Sequence, residues 1–592
     1  MGIRGLKTYI DAKQDKMGKP YSPATCKVPL DTNVKNYVVM NGSAFKHHMY
    51  FGCNEPFDDD CPTAIEKHID TFLNNLMRHN IYIKNIIFDG GFVEDRLSTQ
   101  YERRRKSVNE SERDYSKLSP TKGFSFPSIV LHELLIKIFI KLSHKHGNNF
   151  EVRNSVEDAD RELACIAKRN NYFVIGNDSD LFMFDIRGYI DMTDLEGLQF
   201  NSFDQNSLLT ITYYSPELVS QRVKCSIAQF PLFGVLSGTE VFKISDQYNN
   251  IYHSFQKRGE LISKYHNNIY YLLKQLLYHP SSYALSKYEK EVNDHLYLFS
   301  SQLNYDYPYC LYNNPQINTK LIWDHFLETE EYKVIIQYLC EGSLVADLYC
   351  FLFNHICIFS VPRLSTSNKI DSLIDFIRQF YETFIMKYFK DSKILWRYIC
   401  VNTMKYVNPM NLPLDNTSNT IEDIFVPLHC LLHMQTRPFD KNMKSFFKFF
   451  GMATYEYNAS IYTHVNPLLP VSLFLLHKYI PDINPLLLRT FIICLYTNHI
   501  HAYEGEPIVN NSIIEVNETV KYILNSLSII ASFYFNISGY INNVCYGYLI
   551  SLYAFLADDE NYQDFSMFDS FIDDDEDIEQ EIDNLFKFIT QQ

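Results

Sequence analysis

The chain has 592 residues, 46% apolar and 15% aromatic, so it can bury a large core and has room for several domain-sized units. The formal charge of −16 argues at first against a nucleic-acid binder, but 13 acids and one Lys fall between Asp558 and the C-terminus, a net of −12 that leaves −4 for all that precedes it. The thirteen cysteines form no Cys-x-x-Cys pair and no metal-spaced cluster, no apolar signal region opens the chain, and Asp347, Asn354 and His355 interrupt its most apolar long window; a zinc module, a secretory leader and a membrane span are therefore not expected, and a reducing, intracellular compartment is.

The first apolar run, Asn36–Met40 (NYVVM), reads as a strand that stops at Asn41. A second, Ile83–Phe88, stops at Asp89 in the sequence FDGG. Arg96 lies seven residues after Asp89 and Arg103 fourteen, a spacing that would set both on one helical face, with Arg104 and Lys106 beside them. A solvated basic helix and a phosphate-binding face both fit that pattern. The charged stretch from Arg103 to about Ser128, broken by Pro120 and Gly123, reads as a loop or cap. Helical periodicity follows at Ser128–Leu142 and again at Ser155–Asn170.

The second of these helices opens with EDADRE, which places Glu157, Asp158, Asp160 and Glu162 together. Ser155 as N-cap with Asp158 three residues on is a capping-box spacing, and acids suit the positive end of the helix dipole. That accounts for Asp158 better than for Asp160, because residues two apart point about 200° apart on a regular helix. The run Tyr172–Ile175 is a buried strand that breaks at Gly176, and Asp178 and Asp180 come next. Like charges one residue apart repel, so they mark either a solvated Asx-rich turn or a cation site.

Strand-then-helix alternation over residues 1–245 predicts an α/β fold with a parallel sheet and helices on both faces. Such sheets bind ligands at the carboxyl ends of their strands, where Asn41, Asp89, Asp178 and Asp180 fall. Over 246–556 the strand signal fades. Segments such as Ser372–Phe389 and Thr519–Phe535 read as α-helical, and no repeat period emerges. The acidic tail, 557–592, reads as disordered or weakly helical.

MGIRGL at the start, FDG at 88–90, EDADRELA at 157–164 and NDSD at 177–180 come in the order of the flap-endonuclease/XPG nucleases, and the chain most resembles the Asteroid branch. The resemblance implies a PIN-like nuclease domain over 1–245, an Asteroid-type helical region after it, and an acid cluster holding two Mg²⁺ or Mn²⁺ ions. By position it implies metal ligation by Asp89, Asp158, Asp160, Asp178, Asp180 and Glu240. Asn41 stands where the family's first acid belongs. Arg96 and Arg103 match residues facing the scissile phosphate, Arg104 and Lys106 would add to substrate binding, and Gly2 matches a glycine that approaches the site. Glu240 replaces the usual Asp, and the stretch after it lacks the glycines of the family's duplex-gripping element. The resemblance implies a structure-specific endonuclease of DNA repair, nuclear, acting on DNA with single-stranded character. A protein partner is expected to bind the helical region. The alternative is a catalytically weakened scaffold in post-transcriptional RNA control, which Asn41 favours.

Overall fold

The structure is a computed structural model. It describes residues 3, 6–13, 20, 22–52, 62–89, 129–145, 150–155, 159–195, 210–236, 356–360, 397–401, 410–411, 443–444, 447–448, 450–458, 468–479, 576–591 and the single residues 483, 485, 488, 489, 492 and 523. The chain divides into two compact units. The first is drawn from Met1–Gly52, Lys67–Thr99 and Ile138–Cys310, the second from Cys53–Glu66, Gln100–Lys137 and Leu311–Gln592.

The first unit is built on a seven-stranded sheet. Its elements are α1 (Leu6–Asp11), β1 (Lys27–Pro29), β2 (Asn36–Asn41), α2 (Gly42–Gly52), α3 (Pro62–Arg78), β3 (Ile81–Phe88), α4 (Ile129–Lys145), β4 (Glu151–Asn154), α5 (Ala159–Asn170), β5 (Phe173–Gly176), β6 (Tyr189–Asp191), β7 (Thr212–Tyr214), α6 (Pro216–Val223) and α7 (Phe230–Leu236), with α3 and α4 each running across a unit boundary. The strand order is β1-β7-β6-β5-β2-β3-β4. The five strands from β6 to β4 are parallel, as the alternation predicts. The sheet is nevertheless mixed, because β7 runs antiparallel to both β6 and β1. These outer strands are three residues each, too short to give a periodic signal.

Both faces of the sheet are covered. On one, Val39, Ile87 and Val174 join Leu6, Ile10, Leu163, Ala164, Phe182, Val219 and Phe230 in a single core cluster. On the other, Phe45 packs against Phe72 and Phe139 at ring separations of 5.2 Å, and Phe88 lies 6.3 Å from Phe139. Ile87 and Phe88 go to opposite faces because strand side chains alternate. The start of α2 presses on this second face, where a Cβ at Gly42 would stand 2.6 Å from the Phe88 ring, so only glycine fits.

In the second unit three short strands, β8 (Ile356–Ser360), β9 (Arg397–Val401) and β10 (Met410–Asn411), form a sheet ordered β10-β9-β8. They interrupt the helical reading of 246–556. ICIFS and RYICV are rich in β-branched and aromatic residues, which suit a pleated surface. Helices α8 (Leu468–Tyr479) and α9 (Glu576–Thr590) belong to the same unit. Within the acidic tail, left open between disorder and weak helix, α9 is a helix with Ile582, Leu585 and Ile589 buried. Glu581 is buried beside them, with its carboxylate accepting from the Tyr455 hydroxyl and, at 3.0 Å, from the Asn458 N–H.

Candidate functional site

The parallel registers align the strand ends. Asn41 of β2 sits opposite Ile87 of β3, Met40 opposite Ile175, Phe88 opposite Asn154, and Gly176 of β5 opposite Asp191 of β6. Asn41, Asp89, Asp178 and Asp191 therefore stand at or just past the carboxyl ends of four adjacent strands. All the described candidate residues lie along this one edge.

Each of them is already engaged. Asn41 is buried, and its Oδ1 accepts the Ala44 N–H at 2.8 Å, capping α2. Its Nδ2 donates to Asp160 Oδ1, also at 2.8 Å. The Ala44 donor requires an oxygen, and that fixes the amide's orientation with its NH₂ group toward Asp160. Asp160 lies in the first turn of α5 and is 9% exposed. Asp89 is exposed. Its backbone N–H donates to Ser43 Oγ at 2.9 Å, and its Oδ1 accepts the Ala159 N–H at 3.3 Å, serving one of the orphan donors at the start of α5.

The Asp178-Ser179-Asp180 stretch is an Asx turn leading into a 3₁₀ turn over Ser179–Met183. Asp178 Oδ1 accepts the Asp180 N–H at 3.3 Å. Asp180 Oδ1 accepts the Ile3 N–H at 2.8 Å. Behind them Tyr189 donates its hydroxyl to the Gly176 carbonyl at 3.2 Å. Burial above all, then the charges of Asp191, Asp178 and Asp160, holds this phenol well above its ordinary value. The charges of three carboxylates thus bear on one buried hydroxyl, and a Cβ at Gly176 would lie 3.7 Å from that of Asn41.

Two functional candidates escaped the sequence reading. Asp191 is fully buried at the end of β6. Its Oδ1 accepts from Thr193 N at 2.9 Å and Thr193 Oγ1 at 2.7 Å, and the carboxylate is ion-paired with Lys7 of α1. The rule that singled out Asp89 and Asp178 applies to GYIDMTD as well, but Tyr189-Ile190 is too short a run to announce a strand. Just beside the edge, Arg153 of β4 pairs with Glu162 of α5 and, at 2.7 Å, with Glu151. Burial raises the Glu162 carboxyl and Arg153 opposes the shift.

Gly2, Arg96, Arg103, Arg104, Lys106, Asp158 and Glu240, with the whole charged stretch after Arg103, lie outside the described residues. Among the described residues no group of three or more His, Cys, Asp or Glu side chains is placed to hold a metal ion. The described donors are hard carboxylate oxygens, the kind that suit Mg²⁺ or Mn²⁺. They are strung along the strand ends, with the charges of Asp160 and Asp178 both bearing on the Tyr189 hydroxyl. Among the described residues no helix is long and apolar enough to cross a membrane.

No family model matches the chain. It is similar to the single-strand DNA endonuclease ASTE1 of Danio rerio, 21% identical over 265 residues (44% of this chain), and to that of Homo sapiens, 23% identical over 248 residues (40%). It is also 27% identical to protein asteroid of Drosophila melanogaster over 199 residues, 33% of this chain and 20% of that one. The chain spans about a third of the length of the endonuclease relatives, 35% and 33%. Among solved structures, the catalytic core of Rad2 in complex with DNA substrate matches at a TM-score of 0.26 and 12% identity, over 50% of this chain and 79% of that one.

Proposed function

We propose, for a chain that is asteroid/XPG-like by its relatives, the function of a divalent-metal-dependent, structure-specific endonuclease, acting on single-stranded or overhang DNA in DNA repair. The observation that carries the reading is the edge itself: Asp89 and Asp178 stand just past the carboxyl ends of β3 and β5, which flank β2, and Asp160, in the first turn of α5, is hydrogen-bonded to Asn41 at the end of β2. Asp160 and Asp178 would hold the cations, two Mg²⁺ or Mn²⁺ ions, joined by Asp89, Asp180, Asp158 and Glu240. Bound there, the ions would supply an activated water and Lewis-acid stabilisation of charge on the scissile phosphate. Arg96, Arg103, Arg104 and Lys106 would bind phosphates, since the guanidinium fork matches phosphate oxygens. Residues 1–245 would form the nuclease domain, the helical 246–556 a partner-binding region and 557–592 the acidic tail, in a nuclear protein.

The test is cleavage of labelled single-stranded, overhang, flap and RNA substrates by the purified chain with Mg²⁺ or Mn²⁺, alongside Asp160→Asn and Asp178→Asn. Cleavage of single-stranded or overhang DNA, lost in both variants, is expected. Absence of cleavage, or cleavage that both variants retain, refutes the reading.

A second reading, a catalytically weakened scaffold in post-transcriptional control, draws on one observation: Asn41 offers Asp160 an amide donor in place of a further ligand charge. Undiminished binding of single-stranded RNA with no cleavage of any substrate would favour it.

A further inference from the structure

The opposite end of the same sheet carries a grouping that the carboxylate edge does not use. At the amino ends of three adjacent strands, Tyr37 of β2 faces Tyr82 of β3 in register, and Tyr172 directly precedes β5, whose Phe173 faces Val38. The Tyr37 ring lies 6.2 Å from that of Tyr82 and 5.7 Å from that of Tyr172, both in tilted pairs. All three tyrosines are partly exposed. Two cations stand over the rings: Lys84 Nζ is 5.1 Å from the centre of Tyr37, and Lys35 Nζ is 5.6 Å from that of Tyr82. Among the described residues neither ammonium has a carboxylate partner. Glu151, in register with Asn85, is taken up by the Asn85 amide and by Arg153, each at 2.7 Å.

Sheet stability accounts for part of this arrangement. Aromatic cross-strand pairs stabilise a sheet, and Tyr172 packs against the core cluster. It does not account for Lys84. A regular ladder would set that lysine opposite the buried Val39. Instead the register shifts between Val38 and Val39, so that Val38 faces Ile83 and Val39 faces Asn85. Lys84 is the extra residue of the bulge, a device that re-aims a side chain, and its ammonium comes to lie over Tyr37. A cation over a partly exposed ring is held weakly, so it can turn to an anion. Aromatic faces with unpaired cations beside them are what a single strand of nucleic acid needs: bases stack on the rings, and phosphates go to the ammonium groups. An acidic peptide would use the lysines and leave the rings without a role. At about 3.3 Å per residue along the eight residues of β3, this rim is about 26 Å from the carboxylate edge.

We propose that Tyr37, Tyr82 and Tyr172, with Lys35 and Lys84, form a second contact for single-stranded DNA, a stacking platform at the amino rim of the sheet. Binding there stands on these residues alone. Its bearing on cleavage, as the hold on a part of the strand that is not being cut, rests on the nuclease reading.

The test is fluorescence anisotropy of a labelled oligothymidylate of about 30 nucleotides with the full-length chain, in EDTA so that nothing is cut, over a range of salt. The double variant Lys35→Gln/Lys84→Gln changes no core residue. Tyr37→Leu and Tyr82→Leu keep apolar bulk and remove the ring, and Tyr37→Phe keeps the ring. The double lysine variant should bind roughly tenfold more weakly at low salt, and its slope of log affinity against log salt should be shallower by about 1.4, for two phosphates at about 0.7 each. Each Leu variant should bind roughly fivefold or more weakly with the slope unchanged, and Tyr37→Phe should bind as wild type does. On a base-free strand of the same length the Leu variants should match wild type. Wild-type affinity and slope in the double lysine variant overturn the proposal. So does a loss in the Leu variants that is as large on the base-free strand, because the rings would then not be stacking on bases. Tighter binding of an oligouridylate of equal length overturns the assignment to DNA. In cleavage, the platform variants should raise KM on the long strand, leave kcat unchanged, and leave both unchanged on a strand of about six nucleotides. A chain that binds in this pattern and cleaves nothing sinks the nuclease reading and upholds the platform; cleavage with binding and KM unmoved in every variant does the reverse.

Discussion

Replacing Asn41 by Asp changes one atom type at the centre of the edge and should have a large effect. The new carboxylate keeps an oxygen for the Ala44 N–H, so the cap on α2 survives and gains about 0.3–1 kcal/mol from the helix dipole. The Nδ2 donor to Asp160, 2.8 Å away, is lost, and two carboxylates face each other at 5% and 9% residue exposure. With charge centres about 4 Å apart and an effective dielectric of about 20, the repulsion is about 4 kcal/mol, for a net loss of about 3 kcal/mol in metal-free protein. The pair escapes part of this by sharing a proton, so its folded-state pKa rises above the unfolded value. A raised carboxyl pKa gives stability that is present at low pH and is lost as pH rises through the unfolded value toward the folded one. Melting of wild type and variant is therefore measured at pH 5 and pH 8, with and without Mg²⁺. At roughly 2–4 °C per kcal/mol for a domain of about 150–250 residues, the variant should melt several degrees lower at pH 8 without metal. It should recover at pH 5, and at pH 8 it should gain more from Mg²⁺ than the wild type does, by linkage. A variant as stable as wild type at pH 8 without Mg²⁺ would refute the proximity argument. Recovery with acid but not with Mg²⁺ would refute metal binding at this edge.

Burial pushes the Cys225 thiol up to about 12 and raises that of Cys26, so neither should react with a thiol reagent at pH 8 until urea unfolds the protein, as mass mapping of labelled sites would show. Arg222→Met should lower the urea stability of the first unit by about 3 kcal/mol, because the 1%-exposed guanidinium donates to the carbonyls of Tyr9, Ala12 and Pro23 and their acceptors would be left unmet. Glu581→Ala should free α9 for proteolysis and cost about 2–3 kcal/mol, with Glu581→Gln milder because it keeps an acceptor for Tyr455 or Asn458; equal protection of α9 in all three proteins would count against the buried carboxylate as its anchor. Chelation with EDTA should leave the circular-dichroism spectrum unchanged and lower the unfolding free energy only by the linkage amount, about 2.7 kcal/mol at a hundredfold excess of metal over its dissociation constant.

Long apolar runs carried most of what the sequence could tell. NYVVM, IKNIIF and YFVIG became β2, β3 and β5, adjacent and parallel, because strands buried on both faces read as continuous apolar stretches. Asn41, Asp89 and Asp178 were legible as strand-end residues for the same reason. The outer strands, at three residues each, were not legible, and Asp191 was lost with the shortness of β6. Lys7 and Ile3 were invisible for another reason. Their partners lie 184 and 177 positions away, and nothing in local periodicity encodes a contact of that range. The third acid of EDADRE, Asp160, which a helix start explained poorly, has its explanation in a partner at a strand end: the amide of Asn41.

Two like charges at the end of a strand called for either a turn or a cation, and the structure shows the turn. Asp178 makes the turn through the N–H of Asp180, while Asp180 accepts the N–H of Ile3. The same device recurs along the edge. Asp89 has the Ala159 N–H, Asp160 the Asn41 amide, and Asp191 the Thr193 N–H and hydroxyl together with Lys7. Every described acid at the strand ends thus holds at least one donor supplied by the protein. The folded chain can tolerate its carboxylates without a metal, because hydrogen bonds to the charged form offset desolvation and repulsion. Each of these bonds engages one oxygen of a carboxylate that has two and can accept several. An edge built in this way is preorganised: its acids are fixed by backbone and amide donors before any cation arrives, so binding a cation need not order them. That is why chelation is expected to empty the site without unfolding it, and why losing one fixed donor, as in Asn41→Asp, should be felt most when no metal is there to take its place.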